Sequence, residues 1–354
     1  MNANVNIETV YDKFELFLEL SKERVTTHPF IVTMLMHEYF RCLYPDDPFI
    51  EKRYAEDNLQ NISLCLEMCI KTLKAITNMG SYFADNISLN DYKGNFEKKT
   101  EYKTQILYGK LWLKRLVQKT LDSTEELKES FIRNGFDINY LKGKKVLDMG
   151  CGSGRFSIAF ARLGADHVTG VDLGDDGLEV ARELASSNGL KNVIFEKYSV
   201  LDLPYKDKSF DFVFCKGVLH HTGNLNKGLD EYYRVLKKEG KGFLYLYGSG
   251  GLFWYSRRRM REVMQLIPID YSISVLDLIG MPANRTIFID SWYVPIEEHI
   301  HPESLEKYLD KLGFNKIERW KKGSTIELEP MIFSDALHAK ELWGEGELRY
   351  ILEK

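Results

Sequence analysis

The residue types most able to do chemistry lie in four short stretches, beginning with Asp148-Met149-Gly150-Cys151-Gly152-Ser153-Gly154. Val146 and Leu147 read as a buried strand that the glycines break at once, and Ser153 to Leu163 has helical spacing. Strand, glycine turn and helix together bring bare backbone N–H groups against an anionic or zwitterionic ligand. The second stretch, His167-Val168-Thr169-Gly170-Val171-Asp172, is a strand ending in a carboxylate 22 positions after Gly150, where a ribose-binding acid belongs in such a unit. The glycine spacing, Gly150-x-Gly152-x-Gly154, lacks the later third glycine of the dinucleotide fingerprint, which weakens a pyrophosphate reading. His220-His221 follows a further apolar strand, and Glu297-Glu298-His299-x-His301 forms the fourth stretch. Histidine, with an ordinary pKa of about 6.5, is the natural proton acceptor near neutrality.

The elements that must position these groups alternate. Strands are expected near Val146, over His167–Asp172, Asn192–Lys197, Phe210–Lys216 and Gly242–Tyr247, with helices of about ten residues between them. That alternation predicts an α/β fold with a parallel sheet. Residues 1–98 carry helical periodicity without strand-like alternation and predict an all-α N-terminal domain, either a lid or dimerisation element or a substrate-selecting domain. The polar, turn-rich stretch Ser81 to Lys99 is the expected linker. Ser123-Thr124-Glu125-Glu126 reads as a helix start.

Five ordered motifs carry a family resemblance. Asp148 to Gly154 resembles the first motif of class I S-adenosylmethionine-dependent methyltransferases, and Val171-Asp172-Leu173 resembles the second. Leu201 to Tyr205, Ser209 to Phe214 and Gly217-Val218-Leu219-His220-His221 are similar to the third and fourth, and Arg234 to Gly240 to the turn into the fifth strand. The resemblance is dense over residues 140–250 and loose over 300–328. It implies a Rossmann-like, mostly parallel seven-stranded sheet over residues 99–330 with an insertion at 248–301, closed by antiparallel strands at Phe314–Trp320 and Thr325–Met331, and then a helical tail at 331–354.

The resemblance also implies S-adenosylmethionine as cofactor. Gly150, Cys151, Gly152 and Gly154 would approach its amino-acid tail, and Asp148 with the strand end near Lys216 would face its ammonium group. Asp172 would take the ribose hydroxyls, Leu173 would pack on the adenine, and Val200, Leu201 and Asp202 would edge it. Ser199 stands where many relatives place an acid, so the adenine amino group must be met by Asp202 or by a backbone carbonyl. Tyr108, on the helix before the first strand, is the expected aromatic contact at the methionine end. His220, His221 and His301 are the expected bases, with His299 a competitor and Glu297 and Glu298 weaker ones. The insertion, with Phe253, Trp254, Tyr255, Arg257, Arg258, Arg259 and Arg261, is expected to shape an acceptor pocket for a ring bearing an anionic group.

Composition narrows the rest. The 354 residues exceed one typical domain, and 44% hydrophobic with 28% charged content is ordinary for a globular chain. A formal charge of −4 offers no bulk attraction to nucleic acid or anionic lipid. No apolar run reaches the roughly 18 residues of a membrane span, and Met1 to Tyr11 has no signal-peptide pattern. Five cysteines without framework spacing suit reduced thiols in a cytoplasmic setting. His37-Glu38 lacks the second histidine of a zinc helix, since Arg41 stands there, and no carboxylate cluster suggests a metal. After the fourth strand, Cys215-Lys216-Gly217-Val218 lacks the prolines and acid of DNA adenine methyltransferases and the acid of aminopropyl transferases. The expectation is a methyltransferase acting on an oxygen or nitrogen of a small-molecule or saccharide-type acceptor. A protein or RNA acceptor held by the helical domain, or a non-catalytic binding subunit, are the alternatives.

Overall fold

A computed structural model of the chain describes residues 5–43, 58–76, 119–279, 285–324 and 338–354. These fall into two compact units, each assembled from three chain segments.

The sheet unit comprises residues 98–249, 295–334 and 345–354. Its strands are β1 (Lys145–Met149), β2 (His167–Asp172), β3 (Val193–Lys197), β4 (Phe210–Lys216), β5 (Leu236–Tyr247), β6 (Lys316–Arg319) and β7 (Glu347–Glu353). The spatial order is β3-β2-β1-β4-β5-β7-β6, with β1 to β5 parallel and β7 antiparallel to both neighbours. The Rossmann-like seven-stranded, mostly parallel sheet expected above is therefore present. The central strands are buried on both faces, as parallel strands must be. Val146, Phe212, Phe214 and Phe243 pack on one side, while Leu147, Met149, Val213, Cys215 and Leu244 pack on the other. Strand order reverses at β1 and β4, and in open sheets of this kind ligands bind beyond the carboxyl ends at that reversal. Helices Lys119–Arg133, Arg155–Arg162, Asp175–Ser187, Leu225–Val235 and Pro302–Leu312 complete the unit.

The sequence reading of the C-terminus needs correction. Residues 347–353 form not a helical tail but the inner strand β7, hydrogen-bonded to both β5 and β6. Leu348, Arg349, Tyr350, Ile351 and Leu352 are all buried, so the strand is covered on both faces and shows no alternation to read. Among the described residues of this region only Ala339–Trp343 is helical, and Thr325–Met331 lies outside the described residues. The expected helix start at Ser123 is not a boundary, because the helix Lys119–Arg133 runs through it and Ser123 is buried within it.

The helical unit comprises residues 1–97, 250–294 and 335–344, which departs from the expected boundaries. Residues 250–294, expected as an insertion of the sheet domain, share a core with the N-terminal helices. Phe14 stacks on Tyr39 at 5.0 Å and Phe40 on Phe253 at 5.7 Å. The Tyr39 hydroxyl meets Ser256 at 2.8 Å, and Trp254 Nε1 donates to the Trp343 carbonyl at 3.1 Å.

Candidate active site

Asp148 is the fourth residue of β1, and the chain turns immediately after it. Gly150 and Gly154 hold φ near +77° and +75°, a region that costs L side chains strain. A Cβ on Gly150 would lie 2.3 Å from Val218 Cγ2, so this glycine also lets the turn after β4 close on the loop. The Gly150 and Cys151 N–H groups donate to the Val171 carbonyl at 2.8 and 2.9 Å, tying the loop to the end of β2.

Asp172 ends β2 and organises the loop from the other side. Its Oδ2 accepts from the Gly152 N–H at 2.9 Å and its Oδ1 from the Gly174 N–H at 2.8 Å. Each carboxylate oxygen still has capacity for a further hydrogen bond. Burial raises the Asp172 pKa, while bonds from Gly174, Gly152 and Leu173 hold it down. Asp148 is only 2% exposed and accepts from Ser157 Oγ at 2.6 Å. Burial, against the Ser157 bond and reinforced by Asp172, pushes Asp148 from 3.8 up to about 7. Two carboxyl groups flanking one cradle of glycine backbone, Asp148 buried and Asp172 half-buried, fit a ligand that brings a cation and hydroxyl groups.

A third carboxylate was not legible in the sequence. Glu126, buried on the helix before β1, meets Arg155 Nη1 and Lys216 Nζ, each at 3.1 Å. It thereby links that helix to the first residue after the glycine loop and to the end of β4. Both cations also lie over the Phe156 ring, at 4.2 and 4.7 Å. Cys151 is buried with its thiol pushed well up, which makes it a packing group. Among the adenine-edge candidates, Val200 is buried, Leu201 and Leu173 are half-buried, and Asp202 is exposed. Tyr108 lies outside the described residues.

The predicted bases separate. His220 and His221, 0% and 3% exposed, sit in a 3-10 turn after β4, with their rings 4.2 Å apart. The His220 ring packs against that of Tyr247, tilted by 33°, with centroids 3.9 Å apart. His221 Nδ1 lies 2.8 Å from the Ile296 carbonyl, which can only accept, so the proton of the neutral ring is on Nδ1 and the lone pair on Nε2. The segment Pro295–His301 supplies that carbonyl, and its Glu298 N–H donates to the His220 carbonyl at 2.9 Å. On the same segment His299 pairs with Glu297 at 2.9 Å and with the Gly248 carbonyl at 3.1 Å. His301 does not join them: it is exposed at the N-cap of Pro302–Leu312, because its neighbour Ile300 turns inward to the core. Among the described residues no group of three or more His, Cys, Asp or Glu is placed to hold a metal ion.

The arginine-aromatic stretch expected to line an acceptor pocket is spent inside the helical unit. Arg257 pairs with Asp290 at 2.9 Å, Arg259 with Glu15 at 2.8 Å, and Phe253, Trp254 and Trp292 are buried there.

Residues 141–247 match the family described as a methyltransferase domain. They form a methyltransferase domain. The chain is 40% identical over 111 residues to a ubiquinone biosynthesis O-methyltransferase of Glaesserella parasuis, covering 30% of this chain and 46% of that protein. It is 38% identical over 102 residues to a demethylmenaquinone methyltransferase of Listeria monocytogenes, covering 28% and 43%. The chain thus spans less than half the length of these curated relatives. The crystal structure of YcgJ from Bacillus subtilis is similar to it with a TM-score of 0.38 and 19% identity, over 60% of this chain and 89% of that one. The methyltransferase domain implies an S-adenosylmethionine-type cofactor, and the glycine cradle with its two acids has the chemistry to hold one. No described helix is long and apolar enough to cross a membrane.

Proposed function

We propose that the protein transfers the methyl group of S-adenosylmethionine to an oxygen or nitrogen of a small-molecule acceptor. The observation that carries this reading is Asp172, whose two oxygens organise the glycine loop while keeping capacity for a vicinal diol. When bound, the cofactor supplies an electrophilic methyl group on a sulfonium. Asp172 accepts from both ribose hydroxyls, a charge-assisted pair. Asp148 compensates the ammonium group, which relieves its own buried charge. Gly150 to Gly154 bring backbone to the amino-acid tail, and the end of β4 at Lys216 closes the other side. Val200, Leu201 and Leu173 supply apolar surface for the adenine.

Alignment of the two reactants provides much of the rate, on the order of 7–11 kcal/mol in favourable intramolecular models. A hydroxyl acceptor also needs a proton acceptor. His221 is the preferred candidate, because the Ile296 carbonyl holds the Nδ1 proton and so makes Nε2 the basic nitrogen of the neutral ring. His220, packed between His221 and Tyr247, holds it in place. The names of the two relatives, both quinone methyltransferases, support a ring-bearing small molecule as the first acceptor class to screen.

Calorimetry tests the cofactor assignment: S-adenosylhomocysteine should bind and NAD should not, and the reverse result sinks it. With an acceptor in hand, His221→Ala should cut turnover on the order of 10²–10⁴-fold with S-adenosylhomocysteine affinity retained. Turnover within threefold of wild type would move the bet from a hydroxyl to an amine acceptor.

A further inference from the structure

The loop between β3 and β4 has no ladder of its own, yet in the proposed function it must present a fixed edge to the adenine. Ser199, standing where relatives carry an acid, is used within the loop. Its hydroxyl accepts from the Leu201 N–H at 3.1 Å, and its carbonyl accepts from the Asp202 N–H at 3.1 Å. Asp202 is exposed. The two bonds to Ser199 take up the Leu201 and Asp202 N–H groups, and the backbone groups left to read an adenine are the Val200 N–H and the carbonyls of Val200 to Asp202. Backbone readout is only as good as the fixity of the backbone.

That fixity comes from one arginine on the helix Leu225–Val235. Arg234 Nη2 donates to the Leu203 carbonyl at 3.0 Å, and Nη1 donates to the Tyr205 carbonyl at 2.6 Å and to Asp207 at 3.0 Å. Its Nε and Nη2 grip Glu231 at 2.7 and 2.8 Å, and Glu231 in turn accepts from the Leu203 N–H at 2.7 Å. The pair satisfies both backbone groups of the buried Leu203, one residue after the segment that must face the ligand. The flat, five-donor fork of arginine is what permits this, and a lysine ammonium cannot reproduce it.

We infer that Arg234, braced by Glu231, is the positioning residue for adenine recognition in this chain, which reads the base through loop backbone in place of a side-chain carboxylate. The inference rests on the cofactor reading above. Its test compares S-adenosylhomocysteine with S-inosylhomocysteine, in which a carbonyl replaces the adenine amino group, by calorimetry on the full chain. Wild type should prefer the adenosyl ligand by at least tenfold. Arg234→Lys should reduce that preference at least fivefold. Glu231→Gln, which keeps the shape and an acceptor for the Leu203 N–H, should reduce it less and serves if Arg234→Lys does not fold. Asp172→Ala should weaken both ligands equally. A preference unchanged within twofold in folded variants, or absent from wild type, overturns the inference and leaves the methyltransferase reading standing. Failure of wild type to bind S-adenosylhomocysteine at all overturns that reading instead.

Discussion

At the scale of single residues, the two acids of the cradle make separable predictions. Asp172→Ala should weaken S-adenosylhomocysteine binding by roughly 2–3 kcal/mol, the scale of a lost charge-assisted pair, and an unchanged calorimetric Kd would mean the ribose is held elsewhere. Asp148 predicts pH dependence. Its pKa is raised from 3.8 to about 7 in the folded protein, so its stabilising contribution is complete below about 4 and is lost as pH rises through 7. Thermal denaturation of ligand-free protein should therefore show a stability decline between those limits that Asp148→Asn removes. An ammonium placed beside Asp148 would expel its proton, so calorimetry near pH 7 in buffers of different ionisation enthalpy should detect proton release on cofactor binding. No buffer dependence would place the ammonium elsewhere. Both acids were legible in the sequence because each sits at a strand end beside its glycines, where local order specifies geometry. Glu126 was not, because its partners Arg155 and Lys216 lie 29 and 90 residues away. On a helix rich in charge it is indistinguishable from a solvated residue.

At the scale of elements, the contact between the glycine loop and the turn after β4 is the feature to perturb. Gly150→Ala combines a left-handed φ with a Cβ driven into Val218. It should cost roughly 1–3 kcal/mol of stability, the range for such strained backbone, and weaken cofactor binding as the two loops part. Adding Val218→Ala should return part of the loss, since it removes the clash and leaves the φ strain. Strictly additive effects in chemical denaturation would mean the loops are not in register. Among the parallel strands, β1, β2 and β4 were readable from sequence because each is a short, largely apolar run ended by glycine or acid. β7 was not, because burial on both faces erases the period of two and its neighbours β5 and β6 are set by chain far upstream.

At the scale of the whole molecule, the helical unit argues against a detachable N-terminus. Removing residues 1–97 would strip Phe14, Tyr39 and Phe40 from Phe253, Tyr255 and Ser256, and large core truncations of this type cost roughly 3–5 kcal/mol each. The truncated chain should be poorly soluble or bind a hydrophobic dye where the full chain does neither. A monodisperse, dye-silent product would show that residues 250–294 fold without the N-terminal helices. The sequence could not reveal this union, because amphipathic helices advertise that they need a partner but not which one.

The three-segment construction of that unit has a consequence for how the protein is made. Its first three helices are complete at Ile76, but the segment that covers their apolar faces begins only at Gly250. At about 5–20 residues per second, the ribosome needs on the order of 10–30 s to deliver it. For that interval the N-terminal helices are nascent, sticky chain, while the first strands of the sheet are already emerging. The third segments of the two units, Asp335–Gly344 of one and the stretch that holds β7 of the other, are adjacent in the chain and are synthesised together. Both units therefore complete their cores within the same few seconds of synthesis, and until then each presents unfinished apolar surface.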